Sequence, residues 1–140
     1  MNDFPSTPPQ LDRSKLADAI LSSALDCIIV SDDQGRIVEF NAMAERTFGL
    51  TRDQAIGRTM EETIVPHNHR AAHRRGMDRY LAGGKPVVVG RRIEVEALHA
   101  DGHVFPVELS ITDTEMDGRH YFVANLRDIT QQKRTAAELR

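Results

Sequence analysis

The chain has 140 residues, of which 40% are hydrophobic and 28% are charged, so it can form one folded domain with its own apolar core. Its formal net charge is -3, so the chain as a whole has no excess of positive charge to attract phosphate groups. We therefore expect no nucleic-acid partner. The single cysteine, Cys27, excludes an internal disulfide and a zinc site of several thiolates, and suits the cytoplasm. No apolar run approaches the roughly 18 to 20 residues of a membrane span, so we expect no direct membrane contact.

The N-terminal segment is predicted to be a flexible lead followed by a helix. Residues 1–10 hold three prolines among small polar residues. Such a composition buries too little apolar surface to offset the conformational entropy lost on ordering. Residues 11–24 place Leu16 and Ile20 on one side of an amphipathic helix, with Asp12 as its N-cap. That apolar side requires burial on the sheet or on a second copy, so we expect a homodimer.

A β-hairpin and several short helices are predicted next. The β-rich runs CIIVSD and RIVEF are joined by DDQG, whose Asp and Gly suit a tight turn. Asn41 is expected to cap the helix AMAERTF. Two capping boxes are expected to start the following helices, Thr51 with Gln54 and Thr59 with Glu62.

A longer helix and three strands complete the predicted fold. The helix runs from about His67 to Leu81, and Gly83 with Gly84 is expected to end it. The runs PVVVGRRIEVEAL, VFPVELSIT and HYFVANLRDIT alternate as strands, with turns at ADGH and MDG. Five strands, with helices between the second and third, predict an α+β fold whose antiparallel sheet has helices on one face. Residues 25–130 are assigned to this domain and residues 131–140 to the start of a helical linker.

Three stretches together resemble the PAS sensor domains of bacterial signalling proteins. ALDCIIVSDDQGRIVEFNAMAERTFGLTRDQAIGRTM is similar to the family's first hairpin and small helices, GRRIEVEALHADGHVFPVELSI to its next hairpin, and RDITQQK to its closing Asp-Ile-Thr signature. The resemblance extends from about Leu16 to Gln132. It implies the PAS fold, with sheet order 2-1-5-4-3 and a ligand pocket between sheet and helices.

The resemblance also implies how such a segment works. It implies a sensory and dimerisation module that is not itself an enzyme, followed in the same chain by an output domain. That domain is expected to be a histidine kinase of a two-component system, a diguanylate cyclase or phosphodiesterase, or a transcription module. Asp128 and Thr130 would relay sheet motion into the outgoing helix. No nucleophile, base and orienting group can be placed together by spacing, so we expect no catalytic residue.

His73 is the candidate ligand among the histidines of the long helix. It follows the same helical stripe as Met77, Tyr80 and Leu81, so it is expected to face an apolar pocket. One neutral imidazole in an apolar cavity is what a five-coordinate haem iron uses as its proximal ligand. The expected pocket walls are Met77, Tyr80, Val87, Val89, Ile93, Leu109, Ile111 and Leu126.

The resemblance includes the oxygen-sensor haem branch of the family, in which a histidine on this helix ligates iron. His73 matches that position when residues are counted back from the Asp101-Gly102 turn. The resemblance implies haem b and a gas ligand such as oxygen. The arginine that in some members hydrogen-bonds oxygen falls at Ile93, with Arg91 and Arg92 just before it, which is a departure from the pattern of that branch. Three alternatives stay open: a packing histidine without cofactor, a haem ligand, or a metal pair with His69.

Overall fold

One five-stranded antiparallel sheet organises the chain. The computed structural model describes residues 10–82 and 91–139. The strands are β1 (Cys27–Asp32), β2 (Ile37–Phe40), β3 (Arg92–Leu98), β4 (Val104–Met116) and β5 (Arg119–Asp128). Their order in the sheet is β2-β1-β5-β4-β3, which confirms the predicted α+β fold and its strand order.

Six α-helices accompany the sheet in the described residues. They are α1 (Arg13–Ser23), α2 (Ala42–Phe48), α3 (Arg52–Ala55), α4 (Met60–Thr63), α5 (Arg70–Leu81) and α6 (Thr130–Glu138). The predicted single helix from His67 is divided, because His67–His69 forms a 3-10 helix before α5 begins. Tighter 3-10 turns are common at helix starts, and no side chain caps this one. The predictions for Gly83, Gly84, Val87 and Val89, and for residues 1–9 of the N-terminal lead, lie outside the described residues.

Turn residues fix the hairpins. The Asp32 carboxylate accepts hydrogen bonds from the backbone N–H groups of Gln34 (2.9 Å) and Arg36 (3.0 Å), and closes the β1–β2 turn. In the β4–β5 turn, Asp117 and Gly118 both have positive φ, 53° and 76°. Consecutive left-handed residues match the twist of a two-residue hairpin, as the sequence predicts there.

Asn41 connects the first hairpin to α2. Its Oδ1 accepts from the backbone N–H groups of Ile28 (2.9 Å) and Ala44 (3.0 Å), while its Nδ2 donates to the Asp26 carbonyl (3.0 Å). The side chain is therefore a helix cap, as predicted, and also a support for β1. Asn41 is only 4% exposed, so its polar atoms satisfy their hydrogen bonding through these protein groups instead of through water.

The short helices differ in how their starts are fixed. The predicted capping box at α3 is complete, because Thr51 and Gln54 exchange both side-chain bonds. At α4 only half of the predicted box forms: Thr59 Oγ1 accepts from the Glu62 N–H (3.2 Å). The backbone at Thr59 bridges to Arg36 of the first hairpin, which positions the start of α4 without the reciprocal Glu62 bond.

A core that contains three phenylalanine rings lies between α2 and the sheet. Phe48 of α2 packs with its ring centroid 6.2 Å from that of Phe40 and 5.5 Å from that of Phe105. Cys27 is buried in this core, and desolvation raises the pKa of its thiol, so it is an inert packing residue.

The N-terminal helix stands apart from this core. Asp12 caps α1 through the N–H groups of Ser14 and Lys15, yet no residue of α1 is buried. Leu16 and Ile20 remain 42% and 55% exposed, so the apolar side of α1 is not covered by the described part of the chain. None of the helices described is long and apolar enough to cross a membrane.

Candidate functional site

A cavity of about 840 Å³ separates α5 from the sheet. Side chains of β3, β4 and β5 form its floor, and α5 lies over it without burying any of its own residues. Small residues on both sides, including Ala72, Gly76 and Ala124, leave the space between helix and sheet. The volume falls within the range of small-molecule and cofactor sites, about 300 to 1,000 Å³.

The structure brings together all of the predicted pocket residues that it describes. Ile93 of β3, Leu109 of β4 and Leu126 of β5 pair in register and form one apolar row across three strands. Ile111 follows two residues after Leu109 and therefore shares its face. The predicted residues that border the cavity are His73, Met77, Tyr80, Ile93, Leu109, Ile111 and Leu126.

His73 is held by a carboxylate that the sequence analysis did not place. Its Nδ1 lies 3.4 Å from Oε1 of Glu61 on α4. The other oxygen, Oε2, accepts from Nε (3.0 Å) and Nη2 (2.7 Å) of Arg74. With Nδ1 engaged by Glu61, Nε2 is the ring nitrogen available to a ligand.

The same contacts set the protonation of Glu61. Partial burial works to raise its pKa, but hydrogen bonds and charge from Arg74 and His73 outweigh this effect, and the pKa lies below its ordinary value. Glu61 therefore remains an ionised acceptor near neutral pH. An ionised acceptor favours the Nδ1–H tautomer of His73.

The polar residues at the cavity margin come from several elements. His69, Arg75, Arg79 and Lys133 supply cationic or potentially cationic groups, and Glu94 and Glu96 of β3 supply acidic ones. Lys133 Nζ on α6 lies 2.5 Å from Glu94 Oε2, and His69 Nε2 lies 3.9 Å from Glu96 Oε1. Arg75 and Arg79 of α5 therefore border the cavity.

Tyr80 closes the C-terminal end of the site. Its hydroxyl donates a hydrogen bond to Asp113 Oδ2, and this bond, together with partial burial, raises the pKa of Tyr80. Its ring meets Phe122 edge-on with centroids 5.4 Å apart. The end of α5 is thus attached to β4 and β5.

The predicted relay residues lie where β5 passes into α6. Asp128 Oδ1 accepts from the backbone N–H (2.9 Å) and the hydroxyl (2.5 Å) of Thr130. Ile129, between them, is buried and donates its N–H to the Pro106 carbonyl (3.1 Å). The start of α6 is therefore fixed to two strands of the sheet.

The residues at the cavity fit a haem group in their chemistry. The His73 imidazole borders a largely apolar space, its Nδ1 is hydrogen-bonded to the Glu61 carboxylate, and cationic side chains lie at the margin. Ile93 lines the cavity where an oxygen-binding arginine would fall, while Arg92 pairs with Glu108 (3.4 Å). Within the described residues, no third metal-binding side chain joins His69 and His73 in a ligand group.

The family model of the PAS domain matches residues 25–131. The chain belongs to the PAS domain family. This PAS domain is 34% identical over 121 residues to the sensor protein FixL of Bradyrhizobium diazoefficiens, a match covering 86% of the chain and 24% of FixL. It is 36% identical over 124 residues to the cell-division control histidine kinase PdhS of Brucella ovis, covering 86% of the chain and 11% of PdhS.

A solved structure shares the fold. The crystal structure of the PAS domain of an HTR-like protein from Haloarcula marismortui superposes with a TM-score of 0.64 and 25% identity, covering 84% of this chain and 93% of that one. The chain spans a quarter or less of the length of FixL and PdhS. It is a PAS sensory domain related to sensor histidine kinases.

Proposed function

We propose that this PAS domain binds a small, largely apolar molecule between α5 and the sheet, and passes the bound state through α6 to an output domain in the same chain. The observation that carries the proposal is the cavity of about 840 Å³, floored by the row Ile93, Leu109 and Leu126. The output is a histidine kinase, by relation to PdhS, or a cyclic-di-nucleotide enzyme.

The relay is supported by contacts that α6 makes with the floor of the cavity. Lys133 reaches Glu94 on β3, next to Ile93, and the Asp128–Thr130 contacts fix the first turn of α6 to β5. A ligand that shifts β3 changes the distance between Glu94 and α6. An exposed ion pair contributes only about 1 kcal/mol or less, so its gain or loss can bias two arrangements without locking either.

Assembly is the second part of the proposal. A second copy of the chain covers the exposed apolar side of α1, which carries Leu16 and Ile20. In this dimer the two α6 helices together pass the ligand-induced change to the output domains. A cytoplasmic location accords with the one reduced, buried cysteine.

A second candidate function is a haem-based gas sensor with His73 as the proximal ligand. The observation that favours it is the Glu61–His73 contact, which orients an imidazole at the edge of an apolar cavity. Haem would supply an iron centre that binds a diatomic gas. Glu61 would hold the proton on Nδ1, Arg75 or Arg79 would neutralise acidic groups of the cofactor, and Ile93 would exclude water from the gas side.

Substitution of Gly76 tests the ligand site. A Cβ at Gly76 meets no atom within 4 Å, and this residue borders the cavity, so Gly76→Phe adds a ring to the space without backbone strain. The probe is 1-anilinonaphthalene-8-sulfonate, an apolar anion that fluoresces when buried. Gly76→Ala is the matched control because it changes helix propensity alone. We expect the wild type and Gly76→Ala to bind the probe and Gly76→Phe to lose binding at least about tenfold, and equal binding by all three would reject this site.

Hemin tests the second candidate. Protein expressed with haem supply should show a Soret band that His73→Ala abolishes and His69→Ala preserves. A protein that stays colourless after hemin addition would reject the haem function and leave the apolar-ligand proposal in place.

A further inference from the structure

We infer that the β3–β4 turn is a binding site for a divalent transition-metal ion, with His99, Asp101 and His103 as its protein ligands. The turn lies at the end of the hairpin between Leu98 and Val104. One donor atom from each of the three side chains lies within 4.8 Å of the other two. This cluster does not border the cavity and has no part in the proposed sensing function.

The two imidazoles converge on one carboxylate oxygen. Oδ1 of Asp101 lies 3.1 Å from Nδ1 of His99 and 2.5 Å from Nδ1 of His103. The rings are stacked with centroids 4.6 Å apart and an interplanar angle of 22°. Three potential ligand atoms thus lie close together within one five-residue turn.

The backbone holds His99 and Asp101 in this arrangement. His99 N–H donates to the His103 carbonyl (2.9 Å), Gly102 N–H donates to the His99 carbonyl (2.9 Å), and Gly102 has a φ of 97°. The His103 N–H donates to Asp101 Oδ1 (2.9 Å). This backbone bond fixes the orientation of the Asp101 carboxylate within the turn.

The His99 ring is held from its other side by α2. A Cβ on Gly49 would lie 2.6 Å from Cε1 and 2.8 Å from Nε2 of His99, so the ring packs directly on the glycine. Ala100 N–H also donates to the Phe48 carbonyl (2.9 Å). Gly49 thereby covers the Nε2 side of the ring and leaves Nδ1 as the donor atom that faces Asp101.

His99 Nδ1 carries a lone pair that a cation can bind. The Asp101 N–H donates to this nitrogen (3.1 Å), so Nδ1 acts as an acceptor. Oδ1 of Asp101 also lies 3.1 Å from Nδ1, and a cation held by both atoms would replace the N–H contact.

The donor set selects the kind of metal. Two imidazole nitrogens and one carboxylate oxygen suit zinc, nickel or copper, whereas calcium and magnesium prefer oxygen ligands alone. Zinc bonds to nitrogen and oxygen of about 2.0 to 2.2 Å require small rotations, which the exposure of Asp101 and His103 permits. Water would complete the coordination. The bound ion would brace the β3–β4 turn against α2.

The test is a calorimetric titration of Zn²⁺ into the 140-residue chain without a histidine tag. We expect His103→Ala and Asp101→Asn each to weaken Zn²⁺ binding by about tenfold or more, and His69→Ala to bind as the wild type does. His103 is exposed, so His103→Ala removes a ligand with little effect on packing. Thermal unfolding of each variant without metal verifies that the protein is folded.

Paramagnetic broadening locates the site independently of affinity. Substoichiometric Cu²⁺ should broaden the amide signals of residues 99–103 and of Gly49 first. Broadening centred on His69 and His73 would overturn the proposal, and so would the absence of Zn²⁺ binding or unchanged Zn²⁺ binding by His103→Ala.

Discussion

Nδ1 of His73 and Oε1 of Glu61 lie 3.4 Å apart, so α5 is joined to α4 at the edge of the cavity. Arg74, the next residue of α5, strengthens the junction by donating two hydrogen bonds to the other oxygen of Glu61. One carboxylate therefore both orients the candidate ligand His73 and anchors the N-terminal half of α5. The position of α5 over the sheet depends on this junction and on Tyr80 at the other end.

Removal of the Glu61 charge should destabilise the fold in a pH-dependent way. The pKa of Glu61 is lowered below the ordinary 4.5, so its stabilising contribution is present above that value and is lost as pH falls through the lower folded-state pKa. Urea unfolding should show Glu61→Gln less stable than the wild type at neutral pH, with the difference shrinking in acid. Glu62→Gln is the matched control, since Glu62 is exposed and its carboxylate makes no bond in the described residues. A difference independent of pH would contradict this account.

Tyr80→Phe should loosen the C-terminal turn of α5. The substitution removes the hydrogen bond to Asp113 and keeps the ring contact with Phe122. We expect a loss of stability of up to about 1 kcal/mol and faster amide hydrogen exchange near residue 80. Tyr121→Phe, on β5, is the control. Unchanged exchange at the end of α5 would show that the Asp113 bond does not hold this helix.

Asn41→Ala should be among the most destabilising polar substitutions. The variant leaves the N–H groups of Ile28 and Ala44 without their acceptor in a buried setting. We expect a loss of about 2 kcal/mol in the free energy of unfolding, measured by urea denaturation. Asn68→Ala, in the exposed part of the 3-10 helix, should cost about 0.5 kcal/mol or less. Equal losses for the two variants would contradict the role given to Asn41.

Gly49→Ala and Gly35→Ala should separate backbone strain from a direct clash. Both glycines have similar positive φ, 75° and 77°. Because a residue with a Cβ is strained in this left-handed region, each alanine should lower the free energy of unfolding by about 1 to 2 kcal/mol. Only at Gly49 does the new Cβ meet a side chain, the ring of His99. We expect Gly49→Ala to be the more destabilising, and the excess to diminish in a His99→Ala background, as a double-mutant cycle measures. Equal losses at both positions would contradict the close packing.

The sheet and its pocket face could be predicted from the sequence because they depend on local periodicity. Leu109 and Ile111 are two residues apart on a strand, and the turn at Asp101-Gly102 fixes the register that places Ile93 opposite Leu109. Likewise, the capping positions of Asn41 and Thr51 depend on residues within three or four places in the chain.

The contacts that could not be predicted from the sequence join elements that are packed together by the tertiary fold, and no local sequence pattern specifies that packing. Glu61 meets His73 because the four-residue helix α4 packs against α5, and Lys133 meets Glu94 because the lysine side chain on α6 reaches β3. The turn containing His99 and His103 was predicted, but its metal-binding geometry depends on the packing of His99 against Gly49. Side-chain packing between elements determines these two contacts and the geometry of the turn.

The most direct test of the proposed sensing site is nuclear Overhauser contact between bound 1-anilinonaphthalene-8-sulfonate and methyl groups of the protein. The cavity account predicts contacts to Ile93, Leu109 and Leu126, which form the row beneath α5. Contacts confined to the exposed apolar residues Leu16, Ile20 and Leu139 would contradict it, because the probe would then be bound to the surface.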